Sequence, residues 1–146
     1  MNPLELVIHV ATSRDDYVAP TRYIEMFVVA VLLSVVLFVS FASAGAQKIV
    51  FNPATSKAAE HLGFTKRGYQ RIGFVELLGA LAVIAGLVAS RSSALGVLNE
   101  IAAAALTVMM GMAVRVHLRQ GDATKYVTPA LVLGVMALAE VICRLG

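Results

Sequence analysis

The chain has 146 residues, of which 59% are hydrophobic and 14% charged, with a net charge of +3 at pH 7. So little charge cannot cover a water-soluble surface, and a mean hydropathy of +0.82 points to lipid as the solvent. The basic residues are scattered through connections rather than gathered on one stripe, which argues against nucleic acid as a partner, and the single cysteine, Cys143, excludes an internal disulfide or a CxxC redox pair.

Residues 1–19 read as an amphiphilic N-terminal leader. Its "LELVIHV" is β-branched and roughly alternating, which suits a strand or a short surface helix. The stretch lacks a basic start and runs into "SRDD", unlike a cleavable signal. Residues 20–146 are expected to form one transmembrane domain. Four runs approach the roughly 20 apolar residues that cross a bilayer; they lie at about 23–46, 69–89, 93–116 and 126–143. The fold class is therefore all-α: a polytopic membrane protein built as an antiparallel four-transmembrane-helix bundle.

Between spans one and two the sequence "QKIVFNPATSKAAEHLGFTKRG" carries helix punctuation. Asn52 suits an N-cap, Pro53 the first helical position and Gly63 the stop. A short amphipathic or re-entrant helix is predicted over about 53–62, with Ala54, Ala58 and Leu62 on one face. The later links, "SRSS" and "HLRQGDATK", are short enough to force antiparallel neighbours. Arg14, Arg22, Arg91 and Arg144 fall on the side of the termini. Lys48, Lys57, Lys66, Arg67, Arg71, Arg115, Arg119 and Lys125 fall on the other. This four-to-eight imbalance predicts a plasma (inner) membrane protein with both termini outside.

Ionisable groups within spans are costly and face the bundle interior. Glu76 lies early in span two, on a face shared with Gly73, Gly79, Ala80, Val83 and Gly86. Small residues let helices approach closely in lipid. Span three offers Gly96, Glu100, Ala103, Ala104, Thr107, Gly111 and Arg115, and span one Ser40, Ser43, Ala44 and Gln47. At about 1.5 Å per residue, Lys48, Arg115, His117 and Arg119 arrive near the depth of Glu76. One carboxylate would then meet up to three basic groups, as a structural ion pair or as a ligand or proton site. Glu25, Glu100 and Glu140 mark the opposite boundary and are expected to reach water, with Glu140 and Arg144 spaced i, i+4 for a pair. His117 suits a helix C-terminal cap or headgroup contact, with acid–base chemistry or haem ligation as the alternative. One cysteine and three scattered histidines do not make a zinc site. Met109, Met110 and Met112 are expected to face lipid or pack.

The run "AEHLGFTKRGYQRIGFVELLGALAVIAGL", followed by "MGMAVRVHLRQGD" and preceded by "SAGAQK", resembles the DoxX-like family of small four-helix membrane proteins. The resemblance covers about Ser40 to Pro129, with a compatible fourth span, and leaves residues 1–19 outside. It implies the four-helix bundle and marks Lys48, Glu76, His117, Arg119 and Asp122 as family-like polar positions. Asp122, after Gly121, also suits a cap for span four. Relatives of this kind include membrane subunits linked to thiosulfate:quinone oxidoreduction. The expected role is a non-catalytic subunit or anchor of a redox- or transport-associated membrane complex, or a protein that self-associates. The alternative is a small membrane enzyme or binding protein for a quinone-like ligand. No resident cofactor is expected; a quinone or lipid is the ligand class.

Overall fold

The computed structural model describes residues 2–87, 89 and 93–145, so Arg91 lies outside the described residues. Its helices are α1 (Pro3–Val50), α2 (Pro53–His61), α3 (Lys66–Ala85), α4 (Ala94–Arg119) and α5 (Thr124–Leu145). Four segments are long and apolar enough to cross a membrane: Ile24–Val50, Lys66–Ala85, Ala94–Arg119 and Thr124–Arg144. The chain is thus a multi-pass membrane protein, and its large exposed side chains, such as Leu32, Phe74, Ile101 and Val135, form the lipid-facing surface.

Residues 3–19 do not form a strand or a separate surface helix; they continue α1 without a break. Leu4, Ile8 and Ala11 also fit a helical spacing, and a short run of this kind satisfies both periods. At about 1.5 Å per residue, the 48 residues of α1 are far longer than one crossing requires.

Local chemistry sets the helix ends. Asn52 Oδ1 accepts the Thr55 N–H at 2.9 Å, and Pro53 follows at the first position of α2. Thr65 and Ser93 cap α3 and α4 in the same way. Gly63 (φ 76°) and Gly121 (φ 71°) occupy the left-handed region just past α2 and α4. At both ends an N–H reaches back five residues, from Phe64 to Ala59 O at 2.8 Å and from Asp122 to His117 O at 3.1 Å. These are Schellman closures, which glycine permits at no steric cost. Phe51 takes φ 55° at the reversal between α1 and α2, an uncommon conformation for a bulky residue.

Helices α1 and α3 make the most extensive pairing, followed by α4 and α5. Gly45 and Gly73 bring the first pair together. A Cβ on Gly73 would lie 2.7 Å from Gly45 O, and one on Gly45 would lie 2.6 Å from Gly73 O. The core joins Leu37 and Phe41 of α1, Ala80 and Val83 of α3, Ala103 and Leu106 of α4, and Ala137 of α5. The expected face of α3 is the buried one: Gly73, Glu76, Ala80, Val83 and Gly86 all point inward. That of α1 is different. Its buried line is Ala30, Ser34, Leu37, Phe41 and Gly45, whereas Ser43 and Gln47 are exposed.

Candidate functional site

The Gly45–Gly73 contact places Lys48 beside Glu76. The Lys48 ammonium donates to both carboxylate oxygens, at 2.6 Å to Oε1 and 2.5 Å to Oε2. The Glu76 side chain is 3% exposed and that of Lys48 17%. Lys48 also stands 5.8 Å from the centre of the Tyr69 ring, within cation–π reach. Gln70 fixes the end of α1 by donating to Ile49 O at 2.8 Å. The pair is therefore held from both helices by backbone contact and not by side-chain chance.

This pair forms one wall of a cavity of about 450 Å³. Phe41 and Ala44 of α1, Tyr69 and Ile72 of α3, and Pro129, Ala130 and Leu133 of α5 contribute apolar walls. Met109, Met110 and Met112 line it too, so these methionines are part of a cavity wall, although Met112 also reaches lipid. A thioether adapts its shape to irregular apolar occupants. Polar surface enters at a few points, Lys48, Glu76, Tyr69, His117 and Tyr126, which is the usual composition of a small-molecule site.

A second chamber of about 540 Å³ adjoins it under α2. The two share Leu62, His117 and Tyr126. The face of α2 with Ala54, Ala58 and Leu62 lines this chamber, joined by Lys57 and His61, while Thr55 and Ala59 are the buried residues of α2. Between the chambers lies an arrangement that the sequence alone did not reveal. Asp122 binds His117 Nδ1 through Oδ2 and His61 Nε2 through Oδ1, each at 2.6 Å. The Schellman turn at Gly121 folds the chain back so that the Asp122 carboxylate meets His117, instead of capping α5. Hydrogen bonds from His117, and next from His61, hold the Asp122 carboxyl below the usual carboxylate range. With Asp122 ionised, the ring nitrogens that face it, Nδ1 of His117 and Nε2 of His61, are the ones that carry hydrogen. Among the described residues no three such side chains are arranged to hold a metal ion.

The expected meeting of one carboxylate with several cations reduces to a single pair. Lys48 and Glu76 come together, and His117 borders the same cavity but is bonded to Asp122. Arg115 and Arg119 are exposed and make no ion pair with Glu76. Their depth was foreseeable and their direction was not: α4 turns Met110, Ala113 and His117 to the cavity and Ala104, Gly111 and Arg115 away from the bundle.

The far end of the bundle holds a second polar layer. Glu140, expected to reach water, is fully buried. Its Oε1 accepts from Ser34 Oγ at 2.6 Å and from Arg144 Nε at 3.2 Å. Asn99, also fully buried, donates to Val83 O at 2.5 Å. Val83 lies in the last turn of α3, where carbonyls have no intrahelical partner. The spacing of Gly96, Asn99, Ala103 and Leu106 along one face was the available signal for Asn99.

No curated protein and no solved structure matches the chain. The model of the DoxX-like family matches residues 32–139, which takes in every side chain of the cavity and of both polar layers except Glu140 and Arg144. A match across that much of the sequence, on a bundle of four membrane spans, makes this chain a member of the DoxX-like family.

Proposed function

We propose that this protein binds a lipophilic, ring-bearing molecule of the quinone class in the cavity between its four spans. The observation that supports this best is the cavity itself. It is large enough for a small organic ring system, has apolar and methionine walls, and carries polar groups at two places, Lys48–Glu76 on one wall and His117 at the boundary with the second chamber. An ion pair serving only to fix helix register would not need an adjoining cavity. The excess of Lys and Arg on the α2 side supports an inner-membrane orientation with both termini outside, which would open the second chamber towards the cytoplasm.

The test uses the absence of tryptophan and the presence of only four tyrosines. Tyr69 and Tyr126 line the cavity, so a bound short-chain benzoquinone quenches intrinsic tyrosine fluorescence saturably. Ala113→Phe fills the cavity and is expected to weaken that binding by about tenfold or more, the scale on which a well-packed pocket rejects bulk. Equal quenching curves for the variant and the wild type would overturn the assignment.

A role as a subunit within a larger assembly is a compatible second reading. It is favoured by the exposed Ala104 and Gly111 on the lipid face of α4, where a Cβ on Gly111 would meet nothing within 4 Å. Small exposed residues of this kind permit a further helix to approach closely. Native mass spectrometry from mild detergent separates the two cases: a monomer with bound ligand and no second chain argues against the assembly.

A further inference from the structure

We propose that His117 accepts the proton of an acidic hydroxyl on the molecule in the cavity, so that the site selects lipophilic phenols and quinols over rings that carry carbonyls alone. This rests on the cavity being a ligand site. His117 borders both chambers. Its Nδ1 is fixed 2.6 Å from Asp122 Oδ2. A neutral imidazole that donates from Nδ1 has a bare lone pair on Nε2. Among the described residues nothing hydrogen-bonds to that nitrogen. One ring edge held by a carboxylate and the other left as an acceptor is the arrangement of a general base.

The other candidates for this role are already committed. Glu76 is occupied by Lys48. Lys48 is itself the donor to Glu76, and Tyr69 and Tyr126 are phenols like the ligand and not bases towards it. His61 has a 56% exposed side chain and lines the second chamber, beyond Asp122. On the helix of His117 itself, Arg115 and Arg119 point away into exposed positions. Among the described residues that line the cavity, His117 is therefore the side chain with an uncommitted acceptor nitrogen.

The step moves one proton and no electrons. The ligand O–H bond breaks, an N–H bond forms at Nε2, and the products are a phenolate and an imidazolium. The imidazolium lies between that phenolate and ionised Asp122. Asp122 acts as a positioning residue, since it fixes the tautomer and stabilises the charged ring. His61, bonded to the other carboxylate oxygen, connects this group to the water side.

A nitrophenol with a short alkyl tail tests the proposal, because its phenolate has a visible band that the phenol lacks. The protein is held in lipid nanodiscs at about one pH unit below the probe's own pKa, where about a tenth of free probe is ionised. An apolar cavity by itself would lower that fraction, since desolvation disfavours the charged form. The expected result is the reverse: wild-type protein binds the probe mainly as phenolate, and binds its O-methyl ether about tenfold more weakly, as a site built to accept a hydroxyl should. His117→Gln is expected to bind both probes alike and without the phenolate band. Arg119→Gln, exposed on the same helix end, is expected to behave as wild type. Nitrogen-15 spectra of histidine-labelled wild type, with and without probe, report the protonation of His117 even if His117→Gln does not fold. A colourless bound probe in wild type, an unchanged His117 signal, or a phenolate band that survives in His117→Gln would overturn the proposal and leave the cavity assignment standing. Failure of wild type to bind either probe would overturn the cavity assignment as well.

Discussion

The Lys48–Glu76 pair makes a quantitative prediction with a built-in asymmetry. Removing one partner of a buried ion pair leaves the other without compensation, at a cost of about 3–5 kcal/mol. Here the partners are not equally buried, with Glu76 at 3% and Lys48 at 17% exposure. Lys48 lies two residues from the end of α1, and its long side chain can turn towards the headgroups when Glu76 is removed. Glu76 lies ten residues inside α3 and has no such escape. It is left buried without its counter-ion, which brings in the penalty of about 3–5 kcal/mol in full. Lys48→Met should therefore lower stability by about 3–5 kcal/mol and Glu76→Gln by about 1–2 kcal/mol. The double variant should lose less than the sum of the two, giving a coupling of about 2 kcal/mol, within the range for residues in direct contact. Reversible unfolding in mixed bicelles, followed by circular dichroism, measures all four proteins of the cycle. Additive losses, or a larger loss for Glu76→Gln than for Lys48→Met, would show that the pair is not the coupled, unequally buried contact described above.

Three further outcomes follow from the geometry. Gly73→Ala puts a methyl 2.6 Å from Lys48 Cβ and 2.7 Å from Gly45 O, so α1 and α3 must separate, at about 1–3 kcal/mol; Gly111→Ala meets nothing and should be neutral or slightly stabilising. Thermal unfolding of the two variants side by side measures the difference, and equal stabilities would refute the steric argument. Asn99→Ala leaves the Val83 carbonyl unsatisfied inside the bundle and should cost about 1–3 kcal/mol in the same assay. For Asp122 the sign follows from its lowered pKa: its tether to His61 and His117 contributes fully above the ordinary aspartate range and is lost as pH falls through the depressed folded value. Hydrogen exchange in α2 (Pro53–His61) should thus stay slow from neutral pH down to about pH 4 in wild type and be faster throughout that range in Asp122→Asn; equal rates would mean that Asp122 does not hold α2.

What the sequence disclosed and what it concealed divide along one physical line. Helix ends are local, and Asn52, Pro53 and Gly63 were readable because capping depends on a few adjacent residues. The inward face of α3 was readable because glycine and alanine at spacings of three and four contrast with the bulky Phe74, Val75 and Leu78 between them. Depth was readable throughout, since residues rise along a helix at a fixed rate. Rotation about the helix axis was not. In water an amphipathic helix declares its buried side by polarity, but in lipid the exposed side is as apolar as the packed one. Arg115 was therefore placed at the right height and on the wrong side, and Glu140 was assigned to water although Ser34 and Arg144 enclose it. The same loss of contrast hid the two chambers, because a cavity wall of Met109, Met110 and Ala113 reads like any stretch of lipid-facing helix. The bond between His61 and Asp122 spans 61 residues and has no local signature at all, whereas His117 and Asp122, five apart across Gly121, had one in the glycine between them. In a bundle of this kind the rotation of each helix is reported by its few polar side chains, and each of them becomes informative only when its partner on another helix is known.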